Sequence, residues 1–152
     1  MQRYQKNINF KIRQARIKDA RFLYKIYNKN ILLNNFFSTK QIKFREHLIW
    51  LRNCLENKSI YIIYKIHPIG YVRFENLKSN IFYISIAING KYKKKGIAKK
   101  ALFKAIKKIK LSKLKLIASI KKSNKRSQKF FTSCGFKKVR NSTEYILDYK
   151  NE

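Results

Sequence analysis

Apolar and polar residues alternate over residues 10–16, FKIRQAR, the period of a strand with one buried face. Asp19 follows where an N-cap would open a helix running to about Asn28, with Ala20, Leu23, Ile26 and Tyr27 on its apolar face. Ser38 and Gln41 have capping-box spacing ahead of IKFREHLIWLRNCL, where Ile42, Leu48, Leu51 and Leu55 recur at roughly helical intervals. The pattern then changes. IYIIYKI (60–66), IGYVRFE (69–75) and IFYISIAI (81–88) are β-branched and aromatic, separated by turn-like HP and NLKSN, and predict an antiparallel meander.

Within that meander Tyr71, Arg73 and Glu75 share one face of their strand, and Tyr83 and Ser85 share one face of the next. One side of the sheet is thus polar at its centre. Helical spacing returns after Gly96 through Ala98, Ala101, Leu102, Ala105, Ile106 and Ile109. A strand at 114–120, a helix over SNKRSQKFFTSC and two short strands, GFKKV and EYILDY, complete the chain. The order is α+β in a single domain, residues 1–152. A right-handed crossover through the helix after Gly96 makes strands 81–88 and 114–120 parallel neighbours.

Composition changes the picture in one respect. Lys and Arg total 38 against seven Asp and Glu, for a formal charge of +31 in 152 residues. Such a charge suits polyanions, but the lysines lie on every element instead of one face, and the accompanying excess of Asn, Ile, Tyr and Phe is what an AT-rich coding sequence writes. Function and compositional drift both remain open as its cause. The 45% hydrophobic content excludes disorder. Cys54 and Cys134, with no CxxC and no histidine at metal spacing, read as reduced, partly buried thiols, so neither a metal nor a disulfide is expected. The polar N-terminus and the lack of a long apolar run lead to an expectation of a soluble cytoplasmic protein without a membrane segment.

The candidate chemistry lies in strand, glycine, helix. Helix-opening amides lack internal partners and carry partial positive charge, and a residue without Cβ lets a phosphate approach them. KKKGIA (93–98) resembles the pyrophosphate motif of the Gcn5-related N-acetyltransferase (GNAT) family, and NKRSQKFFTSCGF (124–136) resembles that family's later segment of Asn, a small residue, an aromatic pair and Gly-Phe. The resemblance covers nearly the whole chain. It implies a mostly antiparallel mixed sheet with a central splayed parallel pair and helices on both faces. It also implies acetyl-CoA as donor, with the pantetheine arm against the backbone of Ile86 and Ile88. The amides of Lys94, Lys95, Gly96, Ile97 and Ala98 would hold the pyrophosphate beside Lys93, with Asn124, Arg126 and Ser127 along the coenzyme. Lys93 stands where the family has Gln or Arg. Phe131 stands where many members carry a tyrosine that protonates the leaving thiolate, so either water suffices or Tyr83 substitutes.

Glu75, on the polar sheet face with Tyr83 and Ser85, is the candidate base for an amine that must attack in neutral form. The alternative is a surface carboxylate paired with one of the many cations. In the helices that shape the acceptor site, Asn28, Asn35, Phe37, Ser38, His47 and Trp50, with Arg73 on the sheet, resemble the subgroup that acetylates nucleotide-linked deoxy amino sugars, as in pseudaminic acid synthesis. His47 and Trp50 are three apart and suit stacking on a base or sugar. The expected acceptor is therefore the amine of a nucleotide sugar, and a monomer or homodimer is expected. A protein acetyltransferase acting on ribosomal N-termini or lysines is the rival enzyme. A basic nucleic-acid-binding domain that keeps only the fold is the rival outside enzymes, and Gly96, Ala98 and Asn124 weigh against it.

Overall fold

The computed structural model describes residues 9–33, 35–93 and 96–151. Lys94 and Lys95, expected at the pyrophosphate, lie outside the described residues. The order is β1 (Lys11–Gln14), α1 (Ala20–Leu32), α2 (Phe44–Glu56), β2 (Ile60–Tyr64), β3 (Pro68–Lys78), β4 (Ile81–Ile88), α3 (Ile97–Ile106), β5 (Lys113–Ser119), α4 (Lys125–Ser133), β6 (Lys137–Lys138) and β7 (Glu144–Lys150). One seven-stranded sheet runs β1-β2-β3-β4-β5-β7-β6. Among the described residues only β4 and β5 pair in parallel; every other ladder is antiparallel.

Strand periodicity sorts the apolar residues into two cores. Val72, Phe74, Ile84, Leu114, Leu116 and Ala118 face α3 and α4, packing on Leu102, Ile106 and Phe131. Ile60, Ile62, Tyr71 and Ala87 face α1 and α2, packing on Leu23, Ile26 and Leu51. β2 has helices on both sides, which is why IYIIY shows no polar alternation. Full burial pushes the Tyr71 phenol up to about 12. The face of β5 carrying half-buried Lys115 and Ile117 and exposed Ser119 belongs to neither cluster. Both thiols are free and buried, and burial raises that of Cys134.

Asp19 stands at the N-cap of α1 as expected, but its side chain is used elsewhere, and the start of α2 needs correction. The Asp19 carboxylate does not cap α1. It accepts two bonds from the Arg13 guanidinium, at 2.7 and 2.8 Å, and one from the Arg16 amide at 2.8 Å, tying β1 to a short 3-10 turn. α1 also continues to Leu32. α2 begins at Phe44, where Glu46 accepts from the Lys43 amide at 3.0 Å; Ser38 and Gln41 lie ahead of it in irregular chain. The carboxylate three residues into the helix selects the start there. The lysine-rich back of α3 is not wholly solvated either, since Lys99 donates to the Ser133 carbonyl at 2.8 Å and Lys104 sits over the Phe10 ring.

Candidate active site

β4 and β5 pair only from Ile81 to Tyr83, opposite Lys115 to Ile117. β4 continues to Ile88 along β3, whereas β5 continues to Ser119 along β7. Past Tyr83 the strands diverge, and β4 keeps one backbone edge with no strand against it. An extended ligand can bond to such an edge. Gly70 keeps the far end of β4 in line, because a Cβ there would stand 2.5 Å from the Ala87 carbonyl oxygen.

The wedge opens into a cavity of about 510 Å³. Ile86, Ala87 and Ile88 line it from β4, Tyr92 and Lys93 from the following turn, and Gly96, Ile97, Ala98 and Lys99 from the start of α3. α4 adds Asn124, Arg126, Ser127, Lys129, Phe130 and Ser133, while Asn30, Asn35 and Phe36 come from α1 and the segment after it. Gly96 takes φ 70°, and nothing lies within 4 Å of where its Cβ would be. The left-handed turn requires glycine and leaves open ground over the first amides of α3, which have no intrahelical partner. On the other wall Asn124 caps α4 by accepting from the Ser127 amide at 3.1 Å, and its amide group donates to the Asn35 carbonyl at 3.2 Å.

Charge matches this shape. Burial, then the nearby charges of Arg126 and Lys29, holds the Lys93 ammonium below its ordinary range. Free helix amides and crowded cations make a seat for phosphate, and the bare β4 edge makes one for an amide-bearing arm. The donor residues expected from sequence thus meet in one cavity, apart from Phe131 and the two undescribed lysines. Phe131 is 5% exposed and packs in the core between Phe130 and Phe136, with centroids 5.1 and 5.0 Å away. Phe130 faces the cavity in its place. The signal was helical spacing: Asn124, Ser127 and Phe130 are three apart, whereas Phe131 turns inward.

On the opposite face the β3–β4 register sets Arg73 beside Ser85 and Glu75 beside Tyr83. Tyr83 donates its hydroxyl hydrogen to Glu144 Oε1 at 2.9 Å, reaching from β4 across β5 to β7 at the point where the parallel pair ends. This bond, with the charges of Glu144 and Glu75, raises the phenol above its usual range. Tyr83 therefore keeps its proton near neutral pH. Glu144 escaped the sequence reading. Its signal was scarcity, one of seven acids in a chain of +31.

The acceptor-side expectations fare unevenly. Glu75 is 53% exposed and bonded to Arg73 at 2.9 Å, the paired surface carboxylate that was the alternative. Arg73 in turn lies over the Trp50 ring at 5.3 Å, with its Nε buried and without a hydrogen-bond partner. His47 is fully buried and cannot touch an acceptor. Its Nε2 bonds the Ala20 carbonyl at 3.0 Å, and its ring packs among Tyr24, Phe44 and Trp50, joining α1 to α2. Asn28 is also committed to structure, donating to the Ile42 carbonyl and accepting from its amide. Asn35 donates to Asn30 Oδ1 at 2.9 Å and lines the donor cavity, and Phe37 is exposed while its neighbour Phe36 lines that cavity.

A larger concavity of about 740 Å³ is lined by Lys107, Ile109, Lys110, Leu111, Ser112, Tyr149, Lys150 and Asn151. None of the residues expected at the donor or acceptor site lines it. Among the described residues no three His, Cys, Asp or Glu side chains are grouped to hold a metal, and no helix is long and apolar enough to cross a membrane.

Comparison with known proteins gives a family. The model of the acetyltransferase (GNAT) family matches residues 23–136. No curated protein matches the sequence. Among solved structures, an N-acetyltransferase from Staphylococcus aureus Mu50 is 22% identical over 95% of this chain and 98% of its own, with a TM-score of 0.72. A ribosomal-protein-alanine N-acetyltransferase from Brucella melitensis is 17% identical over 93% and 99%, with a TM-score of 0.76. A phosphinothricin acetyltransferase from Sinorhizobium meliloti, in complex with acetyl-CoA, is 16% identical over 94% and 89%, also with a TM-score of 0.76.

Proposed function

The chain belongs to the acetyltransferase (GNAT) family, and from that premise we propose that it moves the acetyl group of acetyl-CoA directly onto a primary amine arriving at the Tyr83 face of the sheet. The divergence of β4 from β5 past Tyr83 carries the reading, because it joins a phosphate-seating cavity on one side to a polar sheet face on the other. The α3 amides, Lys93 and Arg126 seat the donor's phosphates, and the β4 edge at Ile86 and Ile88 aligns its arm. Two carboxylates, Glu75 and Glu144, bracket Tyr83. They draw the acceptor's ammonium to the wedge and take its proton, directly or through one water, so that the nitrogen lone pair can attack. Glu144, once it carries the amine's proton, can return it to Tyr83 as the Tyr83 hydroxyl hydrogen passes to the departing thiolate, the role that Phe131 cannot fill, and Ser85 offers a hydroxyl on the same face of the strand.

For the acceptor, the platform of Arg73 on Trp50 beside Ser85 supports the amine of a nucleotide-linked deoxy amino sugar, with an aromatic face for a ring and a cation for a diphosphate. The burial of His47 and the commitment of Asn28 remove part of the sequence case. A peptide amine is the second reading, favoured by Glu144 and Glu75 standing together on so basic a molecule. The test is thiol release from acetyl-CoA with nucleotide-linked amino sugars, spermidine, and peptides carrying ribosomal N-termini. Release with the sugars alone supports the first reading, and release with peptides alone supports the second. Failure of acetyl-CoA to bind or raise the melting temperature would overturn both.

A further inference from the structure

Lys29 lies on α1, outside both segments from which phosphate contacts are expected. Its Nζ nevertheless reaches Gly90, where a Cβ would stand 4.0 Å from it, at the start of the turn that leads to Lys93. Lys93 and Arg126 line the cavity from that turn and from α4. Lys29 is not itself in the lining, but it stands beside the turn that carries Lys93, so cations from three separate elements are close to one mouth. The ion pairs among the described residues are Arg13–Asp19 and Arg73–Glu75, so none of the three has a carboxylate partner there. Their crowding is felt by Lys93, whose ammonium is disfavoured by burial, by Arg126 and by Lys29. Like charges held together cost free energy unless an anion sits among them, and the open ground above Gly96 gives it room.

We infer that Lys29 is a third cation of the donor's phosphate seat, reaching in from α1 to share a phosphate with Lys93 and Arg126. This rests on the acetyl-CoA reading and deepens it, because α1 leads into the segment whose Asn35 and Phe36 wall the cavity. The phosphate is either one of the diphosphate or the 3′-phosphate of the coenzyme, and truncated ligands separate them.

The test is calorimetric titration of the wild type, Lys29→Gln, Lys29→Arg and Lys100→Gln with coenzyme A and with 3′-dephospho-coenzyme A. Lys29 is exposed, so an unchanged melting temperature will confirm that its variants fold. Lys29→Gln is expected to weaken coenzyme A binding about five- to tenfold, with Lys29→Arg within about twofold of wild type. Lys100→Gln, which removes an equal charge from the outer side of α3, should leave affinity unchanged. A penalty that persists with the dephospho ligand assigns Lys29 to the diphosphate, and one that vanishes assigns it to the 3′-phosphate; either supports the inference. Equal binding by wild type and Lys29→Gln, or an equal loss in Lys100→Gln, overturns it. Failure of the wild type to bind coenzyme A at all would strike the proposed function first.

Discussion

Glu144 and Glu75 both influence Tyr83, but they are differently held. Glu75 is neutralised by Arg73 and half in water, whereas the partner of Glu144 is the uncharged Tyr83 hydroxyl. Glu144 is therefore the better placed to take a proton, and Glu144→Gln should lower kcat about a hundredfold while leaving coenzyme affinity intact. Glu75→Gln should cost about threefold or less, since it mainly frees Arg73; the reverse ranking in a thiol-release assay would return the base to Glu75. His47 supports a second prediction at this scale. Burial holds its imidazolium below the ordinary range, so between that value and about 6.5 the unfolded chain binds more protons than the folded one. Stability should accordingly fall as pH drops from near 7 to below about 6.5, by at most about 1.4 kcal/mol per pH unit. His47→Gln keeps a donor for the Ala20 carbonyl and does not titrate, so its urea midpoint should vary less over that window. An equally steep loss in the variant would assign the effect elsewhere.

Among the elements, the strands were legible because their period is set by which side is buried, and the crossover rule fixed the parallel pair. The start of α1 at Asp19 was legible too, but the capping bonds were not, because they depend on partners brought by the fold: the Asp19 carboxylate is taken by Arg13 from β1, and α2 opens on Glu46, past Ser38 and Gln41. Site legibility divided the same way. Gly96, Ala98, Asn124 and Ser127 reach the cavity through backbone geometry that local sequence encodes, whereas His47, Asn28 and Glu144 owe their places to contacts made across the fold. Asn124 does two separable jobs, capping α4 with its oxygen and tethering Asn35 with its nitrogen. Asn124→Asp keeps the cap and loses the tether. It should melt near the wild-type temperature yet speed amide exchange in the segment from Asn35 to Lys43, whereas Asn124→Ala should also cost about 1 kcal/mol. Unchanged exchange in Asn124→Asp would mean that the segment is held by Asn28 and Asn30 alone.

At the scale of the whole molecule, +31 charges are opposed by few fixed ion pairs, and only two of the seven acids enter those among the described residues. Self-repulsion should thus outweigh surface pairing as an influence of salt on stability. Raising sodium chloride from about 20 mM to about 300 mM shortens the screening length from roughly 20 Å to under 6 Å, which weakens repulsion across the surface more than the buried Arg13–Asp19 pair. The melting temperature of the free protein should rise by several degrees over that range. Coenzyme A affinity should move the other way, because the same ions screen its phosphates from Lys29, Lys93 and Arg126. Opposite signs for the two measurements would locate the useful part of the charge at the cavity mouth and leave the rest as a burden the fold tolerates. If affinity held constant while stability rose, the amides of α3 would be carrying the phosphates without help from side-chain charge.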